Sequence, residues 1–353
     1  MTDVFVFAGE KSGDLLGARW IQDNPELSIA AVAGPEMRKE NIECVLKTER
    51  FETMGFLDLI PALPRLLYLF CKVKRAILAK NPKVVILVDY AEFNLRLAKA
   101  LRKAGFDGTI VQYVCPSVWA WRKGRIKTME KYLDEVWCLL PFEPKYFSKI
   151  KATYVGHPLL REETKYDPTW RRKFPKDKWI LGIFPGSRTK EIKRNLPLQL
   201  EVAKRLYKDY NLQPVISCAH AKHLRLILKH NKNHFPIVDV RHTHNLMHDA
   251  SYALATSGTI TLQLALMGVP TVVNFAIRRL DQWIAQKILR IDLAHYALPN
   301  IVAGKTLFKE LYGSNLSVDT LTSTLKTLIL DSAIYEDTKT ACQVLKQLLT
   351  PSE

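Results

Sequence analysis

The chain has 353 residues, more than a single hydrophobic core usually contains, so we expect two domains of about 150 to 200 residues each. With 48% hydrophobic and 25% charged residues, the composition is that of an ordinary globular protein and excludes a long disordered region. The net charge of +17 predicts attraction to polyanions, and since no nucleic-acid-binding motif accompanies it, we expect phosphorylated substrates or an anionic membrane rather than nucleic acid.

The first half of the chain alternates short apolar runs with longer amphipathic segments. The runs have the length and composition of buried strands and cover residues 4–7, 29–32, 84–88, 110–114 and 136–140. Alternating strands and helices indicate a parallel sheet with crossover connections. Because the first strand begins at residue 4, no signal peptide is predicted and we expect a cytoplasmic protein.

Residues 56–70 form a strongly apolar segment within this half. Prolines and charged side chains interrupt it, and it is shorter than the roughly 20 residues of a membrane-spanning helix. Residues 66–70 are followed by Lys72, Lys74 and Arg75, so the segment could lie among the headgroups of a membrane. An amphipathic helix packed on the sheet explains the pattern equally well, and both interpretations stay open.

The same alternation begins again after the polar stretch 162–178. Predicted strands cover residues 179–184, 213–217, 235–240, 252–255 and 271–275. No sequence repeat relates the two halves, so their similarity is one of architecture. We therefore predict an α/β protein with one domain over residues 1–160 and a second over residues 161–334.

Glycine-containing turns between a strand and a helix are the first candidate binding sites, because free N–H groups at a helix start attract phosphate. Residues 8–14 form such a turn but match neither a dinucleotide-binding fingerprint nor a P-loop. Residues 184–188 form a second, in which the Arg188 guanidinium would pair well with a diphosphate. An ordinary surface turn is the alternative for the second motif.

A third turn, residues 255–259, opens another predicted helix. Its hydroxyl and amide groups could hold phosphate oxygens, and Gln263, one turn into the helix, could contact a ribose. A helix N-cap followed by a packing glycine explains the same residues.

Asp89 directly follows the predicted strand 84–88. Ligands of open α/β sheets bind outside the carboxyl ends of the strands, so a carboxylate at this point is placed for base chemistry. The alternative is a carboxylate that caps the next helix. Residues 116–122, which contain two tryptophans, follow the next strand and could line a sugar or acyl pocket or pack in the core.

Metal binding is not predicted. His242, His244 and His248 are closely spaced but lack a carboxylate cluster, so we interpret them as part of a solvated basic loop. The six cysteines are widely separated and contain no CxxC pair, which favours buried thiols over a disulfide framework or a zinc site.

Taken together, these segments resemble the lipid-A-disaccharide synthase family over essentially the whole chain. The matching segments follow one another in the family's order: residues 8–14, 32–35, 54–55, 89–94, 116–122, 140–143, 156–158, 185–188, 257–259 and 298–300. The resemblance implies a GT-B fold of two Rossmann-like domains with an interdomain cleft, and a C-terminal helix at about residues 335–353 that packs back on the first domain.

The resemblance also implies the reaction. UDP-2,3-diacylglucosamine and 2,3-diacylglucosamine 1-phosphate (lipid X) would give a β-1,6-linked disaccharide phosphate and UDP, with inversion by a single displacement. No cofactor and no metal are expected. The implied location is cytoplasmic, peripherally associated with the inner membrane, and a homodimer is compatible with the resemblance.

Individual residues take their expected roles from the same resemblance. Asp89 matches the family's proposed base, and Glu10, Ser12 and Gly13 would lie on the acceptor side. The positions that resemble the family's UDP site are Arg188, Ser257, Gly258, Thr259, Gln263 and Asn300. Gln263 stands where relatives commonly carry Glu, so its uncharged oxygen should bind ribose less strongly.

Two other readings remain. One is a different GT-B protein that uses UDP-N-acetylglucosamine, either a transferase or an epimerase. The other is a non-catalytic basic protein that binds membranes or nucleic acid.

Overall fold

The computed structural model of the protein describes residues 2–51, 59–161, 166–277 and 293–351. The chain divides into two compact units, Met1–Pro158 and Leu159–Glu353, so the boundary lies close to the predicted one at residue 160. The motif at residues 54–55 and the first part of the apolar segment 56–70 lie outside the described ranges.

Within those ranges, the first unit is built on a seven-stranded parallel sheet with the order β3-β2-β1-β4-β5-β6-β7. Its strands are β1 (Val4–Ala8), β2 (Ile29–Ala33), β3 (Glu43–Lys47), β4 (Val84–Val88), β5 (Thr109–Tyr113), β6 (Glu135–Cys138) and β7 (Lys151–Tyr154). The helices between them are α1 (Lys11–Gln22), α2 (Leu59–Lys80), α3 (Ala91–Lys103) and α4 (Arg125–Tyr132).

The second unit is built on a six-stranded parallel sheet with the order β10-β9-β8-β11-β12-β13. Its strands are β8 (Trp179–Phe184), β9 (Leu212–Ser217), β10 (Ile237–Val238), β11 (Ala250–Thr256), β12 (Thr271–Phe275) and β13 (Glu310–Tyr312). Its helices are α5 (Thr189–Leu206), α6 (Leu224–His230), α7 (Thr243–Asp249), α8 (Thr259–Leu266), α9 (Leu298–Ala303), α10 (Val318–Leu330) and α11 (Ser332–Leu349).

Each sheet is covered on both faces, as alternation along the central strands requires. In β1, Phe5 and Phe7 enter one apolar cluster while Val4 and Val6 enter another. The structure confirms the predicted central strands. They could be predicted because a strand buried on both faces appears in the sequence as a continuous apolar run. Each sheet is therefore doubly wound, as predicted.

The strands that the sequence pattern missed are β3, β7 and β13, all at sheet edges. β3 and β7 are largely exposed, and β13 has three residues, so none presents an apolar run. The strand predicted at 235–240 is reduced to the two residues of β10.

The C-terminal helix α11 belongs to the second unit, where it contacts α8, α9 and α10. Its packing on the first unit, which the resemblance implies, stays a prediction. The buried side chains of Cys342, Leu345 and Leu349 form its packing face.

Helix α2 packs on the core with one face and leaves other apolar side chains of the segment exposed. Leu69, Val73 and Ile77 recur every four residues and are buried in the core, whereas Leu63 and Leu67 are at least half exposed. In the ranges described, no helix is both long enough and apolar enough to cross a membrane.

Candidate active site

The carboxyl ends of the neighbouring strands β1 and β4 bring the first glycine turn to Asp89. Ser12, in the first turn of α1, donates a hydrogen bond from Oγ to Asp89 Oδ2 over 2.7 Å. The pKa of Glu10 is raised, first by partial burial of its carboxyl group and then by the negative charge of Asp89. Three of the residues predicted on the acceptor side therefore lie together.

The backbone at Asp89 is strained, and two buried amide side chains bind its carbonyl group. Asp89 and Tyr90 have φ angles of 53° and 30°, in the left-handed region that costs non-glycine residues about 1–3 kcal/mol each. The amides of Asn94 and Gln112, both fully buried, donate to the Asp89 carbonyl over 2.7 and 2.9 Å. These two positioning residues were not predicted, although an amide within the apolar run of β5 is a visible signal.

The alternative role of Asp89 as a helix cap is not supported. α3 begins at Ala91, its N-cap is Tyr90, and that cap makes no side-chain hydrogen bond. The Asp89 carboxylate instead meets Ser12.

The glycines of the first turn and of the turn after β2 are required by close contacts. A Cβ atom on Gly9 would lie 2.5 Å from the Tyr90 ring, and one on Gly34 would lie 2.4 Å from the Asp14 carboxylate. Asp14 is buried and accepts the backbone N–H groups of Gly34, Glu36 and Met37, that of Gly34 over 2.8 Å. These contacts fix the start of α1 against the sheet.

The two tryptophans of residues 116–122 have different roles. Trp119 donates from Nε1 to Glu143 Oε1 over 3.2 Å, and Glu143 Oε2 accepts the backbone N–H groups of residues 139–140. Trp121 lies instead beneath the guanidinium group of Arg122. Trp119 thus ties its loop to the end of β6, as core packing would.

Burial raises the pKa of Glu143 from about 4.5 to about 7. The folded protein then keeps a proton that the unfolded chain releases, so the free energy of unfolding should fall as pH rises from about 4.5 to 7. Glu143→Gln, which cannot ionise, should remove roughly 3 kcal/mol of that fall. Urea unfolding at pH 5 and pH 8 measures the change in the free energy of unfolding. Glu135→Gln, on β6, is the control. The same pH dependence in Glu143→Gln as in the unmodified protein would contradict the raised pKa of Glu143.

In the second unit, the two remaining predicted turns line one cavity of about 420 Å³. Gly186, Ser187 and Arg188 contribute one wall. Another wall is formed by residues 256–259 together with Gln263. The predicted donor residues Arg188, Ser257, Gly258, Thr259 and Gln263 are therefore brought together.

The turn before α5 is organised around Glu191. Its Oε2 accepts the backbone N–H groups of Ser187 and Arg188, each over 3.2 Å, and its Oε1 accepts Arg188 NH1 over 2.7 Å. Gly186 has a φ of 103°, which an L side chain rarely adopts. A phosphate bound here would compete with Glu191 for the same N–H groups and for the guanidinium.

Two residues that line the cavity contain buried polar atoms. Thr256 is 1% exposed, and its hydroxyl has no hydrogen-bond partner among the described residues. The same holds for Nδ1 of His244, which lines the cavity too. Buried polar groups are nearly always paired, so two unpaired polar atoms in residues that line one cavity are unusual.

Thr256 belongs to the predicted turn 255–259 but was not singled out as a site residue, and His244 was not predicted at all. His244 had been grouped with His242 and His248, but those two pair with Asp239 and Asp249, each at 3.0 Å. The sequence spacing gave no sign that one histidine of the three lines the cavity.

Asn300 does not line the cavity, although it was predicted to contact the donor. It is fully buried, and its amide exchanges hydrogen bonds with the backbone of residues 307–308 and donates to Glu310. Glu310 accepts the Tyr296 N–H over 2.9 Å, and the Tyr296 carbonyl accepts the Ser257 hydroxyl over 3.3 Å. Asn300 therefore supports the loop that contacts Ser257.

Comparisons with known proteins point to one family. A family model described as lipid-A-disaccharide synthetase matches residues 4–353. The lipid-A-disaccharide synthase of Chlamydia trachomatis serovar D is 37% identical over 97% of this chain, and the chain spans 56% of that relative's length. That of Anaeromyxobacter dehalogenans is 34% identical over 95% of this chain and 90% of its own length.

Solved structures share the fold at low sequence identity. The calicheamicin glycosyltransferase CalG4 has a TM-score of 0.61 at 16% identity, covering 98% of this chain and 95% of its own. The UDP-GlcNAc 2-epimerase of Neisseria meningitidis, solved with UDP-GlcNAc, has a TM-score of 0.59 at 12% identity and covers 99% of both chains. These similarities confirm the predicted fold class of two Rossmann-like domains.

Proposed function

The chain belongs to the lipid-A-disaccharide synthase family, and from this premise we propose that it transfers 2,3-diacylglucosamine from UDP to 2,3-diacylglucosamine 1-phosphate. The products are a β-1,6-linked disaccharide phosphate and UDP. The observation that carries the proposal is the family match over residues 4–353. In this chain Ser12 donates a hydrogen bond to Asp89, and Glu10 lies close enough for the charge of Asp89 to raise its pKa.

In the proposed mechanism, Asp89 is the base. Its carboxylate takes the proton of the acceptor's 6-hydroxyl while that oxygen bonds to the anomeric carbon of the donor. The bond from this carbon to the UDP oxygen breaks at the same time, and UDP leaves with the electron pair. Attack from the face opposite UDP converts the α-linked donor into a β-linked product without a covalent enzyme intermediate.

The second unit supplies the donor site in this proposal. The diphosphate is held by Arg188 and by the N–H groups at the starts of α5 and α8, whose helix dipoles favour negative charge. Ser257 and Thr259 contribute hydroxyls, and Gln263 contacts the ribose. We assign the stabilisation of the leaving group to these residues rather than to a metal ion or another cofactor.

The decisive experiment supplies both diacylated substrates and follows UDP release together with a new disaccharide phosphate. A second candidate, suggested by the epimerase with the same fold, is conversion of UDP-N-acetylglucosamine. Consumption of UDP-N-acetylglucosamine without an acylated acceptor would favour this second candidate over the transferase. The absence of a disaccharide product would contradict the transferase proposal.

The proposal includes peripheral attachment to an anionic membrane through α2. Leu63 and Leu67, at 50% and 58% exposure, are followed at the same helical spacing by the exposed Arg75.

Leu67→Glu should reduce co-sedimentation with anionic lipid vesicles at least severalfold, because it places a negative charge against apolar chains and anionic headgroups. Leu228→Glu, an equally exposed leucine of the second unit, is the control; equal losses in both variants would argue against attachment through α2.

A further inference from the structure

Two arginines between β5 and the first turn of α4 share one carboxylate of α3. Arg122 NH1 and Arg125 NH2 both donate to Glu92 Oε1. The two guanidinium carbons also lie over the Trp121 ring, at 4.5 and 5.2 Å from its centroid. Within the part of the chain that the structure describes, this cation pair, Arg122 and Arg125, has one anionic partner for two cations and so keeps a net positive charge.

The placement of both arginines is locally unfavourable. Arg122 has a φ of 52°, in the left-handed region that disfavours a non-glycine residue. Arg125 is the first residue of α4, where the positive end of the helix dipole repels a cation, and the first turn of α4 contains no acidic residue. Strain of this kind often accompanies functional sites. The cation pair therefore has a local cost that Glu92 offsets in part.

The cation pair lies at the same sheet edge as Asp89. β4 and β5 are neighbours in register, and the Asp89 N–H donates to the carbonyl of Tyr113, the last residue of β5, over 2.9 Å. Glu92, which binds both arginines, is in the first turn of α3, three residues after Asp89. The proposed base and the cation pair are thus held by adjacent elements of one unit.

We propose that Arg122 and Arg125 bind the phosphate monoester of the acceptor sugar. The inference rests on the proposed function, in which one hexose carries the hydroxyl that meets Asp89 and a phosphate at C1. Guanidinium groups bind phosphate oxygens in a fork and stay charged at all working pH values. Glu92 is 53% exposed, so it can turn towards solvent when a doubly charged phosphate takes its place.

The arrangement also accounts for Trp121. The aromatic face limits the directions in which the two guanidinium groups can point, which reduces the conformational freedom lost when phosphate binds. A lysine pair would lack both the stacking and the fork, so the residue types fit a planar, multidentate anion site.

The test compares the phosphorylated acceptor with the same acceptor lacking its C1 phosphate. The double variant Arg122→Gln/Arg125→Gln should raise KM for the phosphorylated acceptor tenfold or more, by the usual size of a lost hydrogen bond to a charged group. Its KM for the UDP donor and its kcat/KM with the unphosphorylated acceptor should not change. Lys123→Gln removes an equal charge from the same loop outside the cation pair and should behave as the unmodified protein.

A binding measurement separates this site from the proposed reaction. Calorimetry with glucosamine 1-phosphate should show binding that the double variant loses and that glucosamine does not show. If the unmodified protein binds this probe but forms no disaccharide, the anion site stands and the proposed function fails. If disaccharide forms and the double variant still prefers the phosphorylated acceptor, the site assignment is wrong while the proposed function stands.

Discussion

Asp89→Asn should lower kcat for disaccharide formation by a factor of about 10² to 10⁴, the usual contribution of a general base. The amide has the shape of the carboxylate and can still accept the Ser12 hydroxyl, so the local hydrogen bond survives. It cannot take the proton of the acceptor hydroxyl. UDP affinity by calorimetry and thermal stability should be those of the unmodified protein, because the change is isosteric and lies in the first unit.

Two further variants make the assignment to Asp89 specific. Glu10 lies near Asp89 and its pKa is raised, so it is the competing candidate for the base. Glu10→Gln should lower kcat less than Asp89→Asn does. Ser12→Ala should lower kcat less still, because it removes one hydrogen bond. Near-normal turnover in Asp89→Asn, or a larger loss in Glu10→Gln, would remove Asp89 from the role of base.

The sequence predicted the parts of the fold that depend on local chemistry. Central strands such as Trp179–Phe184 and Thr271–Phe275 appear with the predicted bounds because their apolar runs are continuous. The edge strands were missed because one face or both is exposed, which leaves a polar pattern. The position of Asp89 followed from a general rule of parallel sheets: the carboxyl ends of the strands share one edge.

What the sequence could not supply are partners distant along the chain. The resemblance placed Asn300 in the UDP site, but it could not show that the amide binds residues 307–308 and Glu310 in the folded chain. The unpaired atoms of Thr256 and His244 were not predicted for the converse reason, since an unpaired buried atom is visible only when the surrounding structure is known. The packing of α11 on the second unit likewise depends on contacts among helices that are distant in sequence.

The start of α5 was predicted in part. The glycine turn and Arg188 were predicted, but the pairing of Arg188 with Glu191 was not. Glu191 accepts the N–H groups that a phosphate would use, so it acts as an internal anion at this turn. In the proposed function, donor binding displaces that carboxylate, and the charge of the UDP diphosphate favours the exchange.

Arg188→Gln should lower kcat by about 10² to 10³, the usual cost of removing a group that stabilises developing charge. Its side chain is 82% exposed, so the free energy of unfolding should change by no more than about 0.5 kcal/mol. Steady-state transfer rates and UDP calorimetry measure the two effects separately. Lys193→Gln, which removes an equal charge one turn further along α5, is the control for general electrostatics. Equal losses in both variants would show that Arg188 contributes only to the overall positive field and makes no specific contact with the leaving diphosphate.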